Sequence, residues 1–415
     1  MKKQESQAWL IVGILFVSWF LVWGGGPNTG SVFFRPVLKY FGWSRAKLSA
    51  GFAIAALSAG ISGPLIGWLV DRIDVRKVMV TGVALTFLGF AGLSRTHTFN
   101  QFLACNLIVG VGLCACTGIP SSLVIANWFR ERRGLAMGLA LCGASLGGAV
   151  MTIVANYVIS RWGWRVGYLV IAAPMLVIVI PLLLMYVRTR PTAETQPLPD
   201  ASAPPLAPVE LPGLEVREAL ATRSLWLLTL VQFLGASVFA GLGQHFVAYL
   251  IGIGYTATFA ARMLSAMFLL TVFGNLLSGP MADRSTARAV LAGTWIVTAV
   301  AMVALLYAGH VTALGLHVLL IGFVLGATGV LTPLLMLESL GIRRFGSLMG
   351  ISGVFGTLGF AAGPVVTGRI YDVTGSYTIA LWLFVAASIV CAIAVLACRP
   401  FEEEQAKFAR TSAAA

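Results

Sequence analysis

The sequence predicts an all-α membrane protein of twelve transmembrane helices arranged as two parallel six-helix repeats. Three observations carry this expectation. Of 415 residues, 58% are hydrophobic and only 10% are charged, where a soluble protein of this size would carry about 25% charged residues. The apolar residues gather in runs long enough to cross a bilayer, which takes about 20 residues of helix each. The chain also aligns with itself at a constant offset of 212 positions.

The apolar runs place spans at 8–30, 46–70, 78–93, 99–128, 135–159 and 166–187. A second set lies at 225–251, 257–282, 290–308, 313–337, 348–370 and 379–397. Lys2 and Lys3 precede a first run too long for a signal-peptide core, so a retained first span is expected. Seven prolines interrupt 189–221, a density that blocks regular structure. This divides the chain into a bundle at 1–188, a cytoplasmic linker at 189–221 with a short interfacial helix at 214–220, and a bundle with a short tail at 222–415.

The net charge of +13 does not mark a nucleic-acid binder, because the basic residues are scattered in small groups between apolar runs. They follow membrane topology instead. Nineteen lysines and arginines fall at the N-terminus, the even loops, the linker and the tail, against nine on the other side. By the positive-inside rule both termini are cytoplasmic. All six cysteines lie within apolar runs and lack the spacing of a zinc site.

The offset of 212 aligns Gly42 with Gly254, Asp71 with Asp283, Arg72 with Arg284, Arg76 with Arg288, Arg132 with Arg344, Gly147 with Gly359 and Gly163 with Gly375. Six spans separate the members of each pair, so the repeats share one orientation. Parallel repeats of this kind build one large class of secondary transporters. Glycines at three- and four-residue spacing (138, 143, 147 and 148, then 350, 353, 356 and 359) let helices approach closely. They would serve as sliding surfaces between the halves or as static packing.

The run Gly67, Asp71, Arg72, Asp74, Arg76, Lys77 resembles the loop signature of the major facilitator superfamily, with Gly279, Asp283, Arg284 and Arg288 as a weaker second copy. Asp74 stands where that pattern usually has glycine. Pro27, Asn28 and Arg35, with the run from Phe41 to Arg45, are similar to the monocarboxylate and oxalate/formate transporter branch. The resemblance implies the major facilitator fold and a gating role for the loop charges. Asp71 would pair with Arg130 or Arg132, or face a helix N-terminus of the opposite half. Asp283, Arg284 and Glu338 would supply the same parts in the second half. Arg72 and Arg76 belong to the same gate. Against this stands a plainer reading, solvated anchors worth about 0–1 kcal/mol per exposed pair.

A charge inside a span costs at least about 2.5–3.5 kcal/mol and marks function by default, yet every acidic residue falls in a loop, a tail or a span end. Where the resembled branch has a helix-one lysine, this chain has Asn28. Where it has an aspartate and an arginine in helix eight, this chain has Thr271 and Asn275. Uncharged groups are therefore the substrate-binding candidates: Asn28, Asn275, Gln244, His245, Tyr249, Tyr157 and Thr271. Thr117, Ser121, Asn156, Thr328 and Thr332 stand behind them. An amide offers two donors and an acceptor, and each Asn is alternatively an interhelical bond that holds the bundle. His245 is expected to be the only histidine well within a span, while His97, His310 and His317 are expected near outer loops.

The expectation is a non-enzymatic secondary transporter in the cytoplasmic (inner) membrane, without cofactor or metal. As a monomer it would move a monocarboxylate-like or hydroxylated metabolite, with protons as a further partner where an acid is carried. An exporter of amphipathic compounds and a transport-inactive sensor remain open beside it.

Overall fold

The computed structural model describes residues 2–43, 45–129, 131–189 and 212–404. Among them the chain is helical throughout, with one isolated antiparallel bridge between Gly213 and Gly341 and no strand. It divides into two compact units. The first comprises Met1–Glu215 and Gly341–Gly350, the second Val216–Leu340 and Ile351–Ala415.

The first unit begins with α1 (Lys2–Ser18), a π-helical turn (Trp19–Trp23) and a 3-10 turn (Pro27–Thr29), followed by α2 (Gly30–Phe41). Pro27 has no N–H to return to the Trp23 carbonyl, and the three preceding glycines carry no side chain to stiffen the turn. The first span therefore loosens at this point. Next come α3 (Arg45–Arg72), α4 (Val75–Ser94), α5 (Phe99–Cys116), α6 (Gly118–Trp128), α7 (Arg133–Pro174), a π turn (Met175–Val179) and α8 (Ile180–Tyr186). In the second unit are α9 (Val216–Leu220), α10 (Arg223–Gly252), α11 (Ala257–Arg284), α12 (Ala287–Leu306) and α13 (Val311–Leu340). The division cuts α14 (Phe345–Thr374) after Gly350, and α15 (Thr378–Leu396) completes the second unit.

Eleven described helical stretches are long and apolar enough to cross a membrane, one of them 54 residues long (Arg133–Tyr186). That stretch breaks at Gly163, whose φ of 84° and ψ of 167° are non-helical, so it supplies two passes and the total is twelve. Gly375, its partner at the 212 offset, also has positive φ, 67°. An L side chain pays for this conformation, so both repeats turn at a glycine.

Local caps define the helix starts. The Asp74 carboxylate accepts from the Arg76 N–H at 3.0 Å and from the Thr189 hydroxyl at 2.7 Å, capping α4. Its partner at the offset, Thr286, caps α12 through the Ala289 N–H at 3.1 Å. Departure from glycine at position 74 thus gains a cap.

Each unit has its own packed interior. In the first, Phe33 stacks on Tyr168 with ring centroids 4.0 Å apart, and Leu15, Met79 and Phe102 are fully buried. In the second, Phe246, Met302, Leu314 and Ile321 are fully or almost fully buried. Large apolar side chains also face outward, with Ile61, Ile153, Val177 and Val365 at least 70% exposed. Water would not tolerate such a surface, whereas hydrocarbon requires it.

The glycine rows pack within units. A Cβ at Gly143 or Gly147 would strike the carbonyl oxygens of Phe16 or Phe20, and one at Gly359 or Gly363 those of Phe233 or Ser237. These four glycines seat α7 on the first span and α14 on α10. Of the two readings of the glycine rows, the close approach at Gly143, Gly147 and Gly359 is packing inside one unit.

Candidate functional site

The charged signature builds the most defined constellation. Asp71 ends α3, one turn beyond Gly67, whose lack of a side chain lets the Gly346 carbonyl come close. Its carboxylate accepts from the Gly346 N–H at 3.0 Å, the Ser347 N–H at 2.9 Å and the Ser347 hydroxyl at 2.6 Å. The first amides of a helix have no intrahelical partner and sit at the positive end of its dipole. Asp71 therefore caps α14 from another helix. It forms no ion pair with Arg132, which is exposed beyond α6, and Arg130 lies outside the described residues. The arginine whose charge bears on Asp71 is Arg344, the repeat partner of Arg132.

Around this cap the other signature residues have separate roles. The Arg72 guanidinium lies over the Trp68 ring at 4.4 Å, and Arg76 bonds the Leu184 carbonyl at 3.2 Å and pairs with Asp74 at 3.4 Å. Glu215, which sequence reasoning passed over, receives Arg344 through Nε at 2.8 Å and Nη2 at 3.2 Å, and Arg343 through Nε at 3.0 Å. The Arg344 hydrogen bond and the surrounding positive charge hold the Glu215 carboxyl below its usual range. The same bond, with the Glu215 and Asp71 charges, pushes the Arg344 guanidinium up. A cavity of about 310 Å3 opens beside these groups, lined by Asp71, Arg72, Asp74, Asn127, Thr189 and Arg343 among others.

The second copy is built differently. Asp283 and Arg284 are exposed at the end of α11, and Glu338 instead accepts from the Ala287 N–H at 2.8 Å. Glu338 is thus a cap on α12. Arg288 does repeat the role of its partner, since it bonds the Cys398 carbonyl after the last span at 3.0 Å, as Arg76 bonds Leu184 near the end of the sixth.

The uncharged candidates are dispersed. In the first unit, Asn28 is exposed on the 3-10 turn and its amide donates to the Ala144 carbonyl at 3.0 Å, leaving the side-chain oxygen for another donor. Tyr157 is 56% exposed and lies edge-on to Trp162. In the second unit Asn275 is buried, 6% exposed, on the side of α11 where Gly326 of α13 approaches the backbone of Thr271 and Asn275. Among the described residues no hydrogen bond to its side-chain amide is found. Thr271 turns its hydroxyl back to the Phe268 carbonyl at 2.6 Å.

Gln244 is exposed, whereas its neighbour His245 is engaged at both ring nitrogens. Nε2 lies 3.1 Å from the Pro364 carbonyl and Nδ1 3.2 Å from the Tyr377 hydroxyl. A carbonyl can only accept, so Nε2 donates to Pro364, while the Tyr377 hydroxyl can serve Nδ1 as donor or acceptor. Tyr249 donates to the Leu305 carbonyl at 2.8 Å. The cleft lined by His245, Tyr249 and Tyr377 is about 10 Å3, room for at most about one water. This cluster is a closed knot and no solute pocket as it stands. Tyr377 had no signal in the sequence beyond being a tyrosine near a span end; burial raises its hydroxyl pKa.

One expectation fails outright. His317 is fully buried within α13, bonded through Nδ1 to the Ala301 carbonyl at 2.7 Å and stacked on Phe246. His245 is therefore not the only histidine well inside a span. The span expected at 313–337 already contains His317, and the packing of α13 (Val311–Leu340) against α12, which the sequence does not show, turns that side chain inward onto the Ala301 carbonyl.

Fold and charged constellation together define a polytopic helical membrane protein built from a duplicated bundle. The profile of the Major Facilitator Superfamily matches residues 8–337 and 253–414, and the chain belongs to that superfamily of transporters. It is 24% identical to an uncharacterised MFS-type transporter, YcxA, of Bacillus subtilis, covering 98% of both chains. It is 25% identical to monocarboxylate transporter 2 of Meriones unguiculatus over 93% of this chain and 82% of that one. Among solved structures, the proton:xylose symporter XylE superposes with a TM-score of 0.74 at 15% identity, covering 97% of this chain and 99% of that one.

Proposed function

We propose that the chain is a secondary active transporter that moves a small monocarboxylate-like or hydroxylated metabolite across the cytoplasmic membrane by alternating access. The observation that carries this reading is the Asp71 cap on α14, three hydrogen bonds accepted from the Gly346 amide and from the amide and hydroxyl of Ser347. Such a contact biases a two-state equilibrium, because it exists in one state and is replaced by water in the other. Asp71 and Arg72 are the gate's charges, with Arg76, Asp283, Arg284 and Glu338 as its anchors.

Likeness to monocarboxylate transporter 2 supports the substrate class, while the neutral residues at 28, 271 and 275 separate this chain from a copy of that chemistry. Asn28 and Asn275 are each assigned to solute binding, Asn28 through its remaining acceptor and Asn275 through an amide with no partner among the described residues. Where an acid is carried, the proton travels on the solute itself or through His245, whose ring nitrogens lie against Tyr377 and Pro364.

Counterflow in proteoliposomes tests the reading, using labelled lactate, pyruvate and a polyol panel with and without a pH gradient. Saturable acid uptake that falls at least about tenfold in Asn275→Ala is expected. Competition by hydrophobic cations without acid uptake would show an exporter of amphipathic compounds instead, and binding without counterflow a sensor.

A further inference from the structure

The end of the linker is tied to the loop that leads into α14. The Ile342 N–H donates to the Pro212 carbonyl at 2.9 Å, and Gly213 bridges Gly341 so closely that a Cβ on Gly341 would strike the Gly213 backbone. Two residues on, Glu215 receives the Arg344 fork at 2.8 and 3.2 Å and Arg343 at 3.0 Å. Residues 341–344 run directly into Phe345, which is fully buried, and then into Gly346 and Ser347, whose amides Asp71 caps.

Each of these ion pairs is partly exposed, and an isolated pair of that kind contributes little. A carboxylate that holds one arginine in a bidentate fork and a second through its Nε is a different case, since geometry and charge act together. The backbone bridge fixes the strap's register as well. Five charges (Asp71, Arg72, Glu215, Arg343 and Arg344) thus gather, both signs interspersed, around the start of one helix.

We propose that Glu215 is a positioning residue of the gate. Through Arg343 and Arg344 it holds the first turn of α14 where Asp71 can cap it, and so makes the end of the linker a strap on the gate. This rests on reading Asp71 as a gate residue. The strap ties the end of the linker, from Pro212 to Glu215, to the persistence of the cap. An alternative in which Glu215 is a solvated surface charge predicts no effect at α14.

Hydrogen–deuterium exchange on the full chain in detergent micelles distinguishes the two, read on peptides covering 341–350. Because the first amides of a helix lack intrahelical partners, protection of Gly346 and Ser347 reports the Asp71 cap directly. Glu215→Gln is expected to speed their exchange roughly three- to tenfold, with Arg344→Gln doing the same from the other side and Glu215→Asp retaining most of the protection. In an Asp71→Asn background, Glu215→Gln should add less than about twofold, because both substitutions remove one contact. Peptides from α12 and α15 should not change.

Unchanged exchange in both Glu215→Gln and Arg344→Gln would overturn the proposal, as would effects that multiply in the double variant. If Asp71→Asn alone leaves both exchange and counterflow at wild-type values, the gate reading fails first. If Asp71→Asn acts and Glu215→Gln does not, the gate stands without a strap. Should Glu215→Gln prove too unstable to purify, Arg344→Gln and Glu215→Asp carry the same comparison.

Discussion

Asp74 shows how a departure from a family pattern can be explained at the level of one side chain. Its carboxylate gains the Arg76 N–H and the Thr189 hydroxyl, and thereby starts α4 as Thr286 starts α12. Asp74→Ala should lower stability by about 1 kcal/mol, measured as a drop in Tm by fluorescence-detected thermal unfolding; an unchanged Tm would deny the cap any weight. Glu215 has a pH signature of its own. The Arg344 fork holds its carboxyl below the ordinary value of 4.5, so its contribution is present above that value and lost only as pH falls through the lower, folded one. The difference in protection at Gly346 and Ser347 between the wild type and Glu215→Gln should therefore hold constant from about pH 5 to about pH 8 and shrink only in stronger acid. Loss near neutral pH would assign the titration to another group. Asp71 and Arg72 were legible from their motif. Ser347 and Glu215 were not, because Asp71 meets Ser347 across 276 positions of chain and neither serine nor a linker glutamate stands out by type.

At the level of the element, the sequence announces helices better than it announces what they touch. Long apolar runs fix where spans lie, and Pro27 with its glycines fixes where the first one loosens. The break at Gly163 was legible because Gly375 repeats it, and both have positive φ. Which face a helix presents is set by packing between distant elements, so the glycine rows were read with their spacing right and their partners open. Gly359 is pressed against the Phe233 carbonyl, while Gly353, earlier in the same helix, has open space around it. Gly359→Ala should cost about 1–3 kcal/mol through overpacking. Gly353→Ala should be neutral or gain about 0.5–1 kcal/mol from helix propensity. Thermal unfolding of the two variants side by side checks this, and equal Tm shifts would show that neither glycine is there for close approach.

For the whole molecule, duplication and charge asymmetry make one joint prediction about orientation. The repeat is visible in tertiary bonds as well as in sequence, since Arg76 reaches the Leu184 carbonyl and Arg288 the Cys398 carbonyl. Six passes per repeat return the chain to the side where it began, so corresponding loops of the two repeats must lie on the same side of the bilayer. With nineteen basic residues on one set of segments and nine on the other, insertion should leave the richer set inside. Alkaline phosphatase matures only where disulfides form, outside the reducing cytoplasm, so fusions read the side directly in a bacterial host. Fusions after His97 and after His310 should be active, while those after Arg76, after Arg288 and at the C-terminus should be silent, and a green fluorescent fusion at the C-terminus should be bright. Activity after Arg76 but not after Arg288 would mean that the two repeats are inverted relative to each other. That outcome would remove the parallel duplication on which the pairing of Arg76 with Arg288 depends.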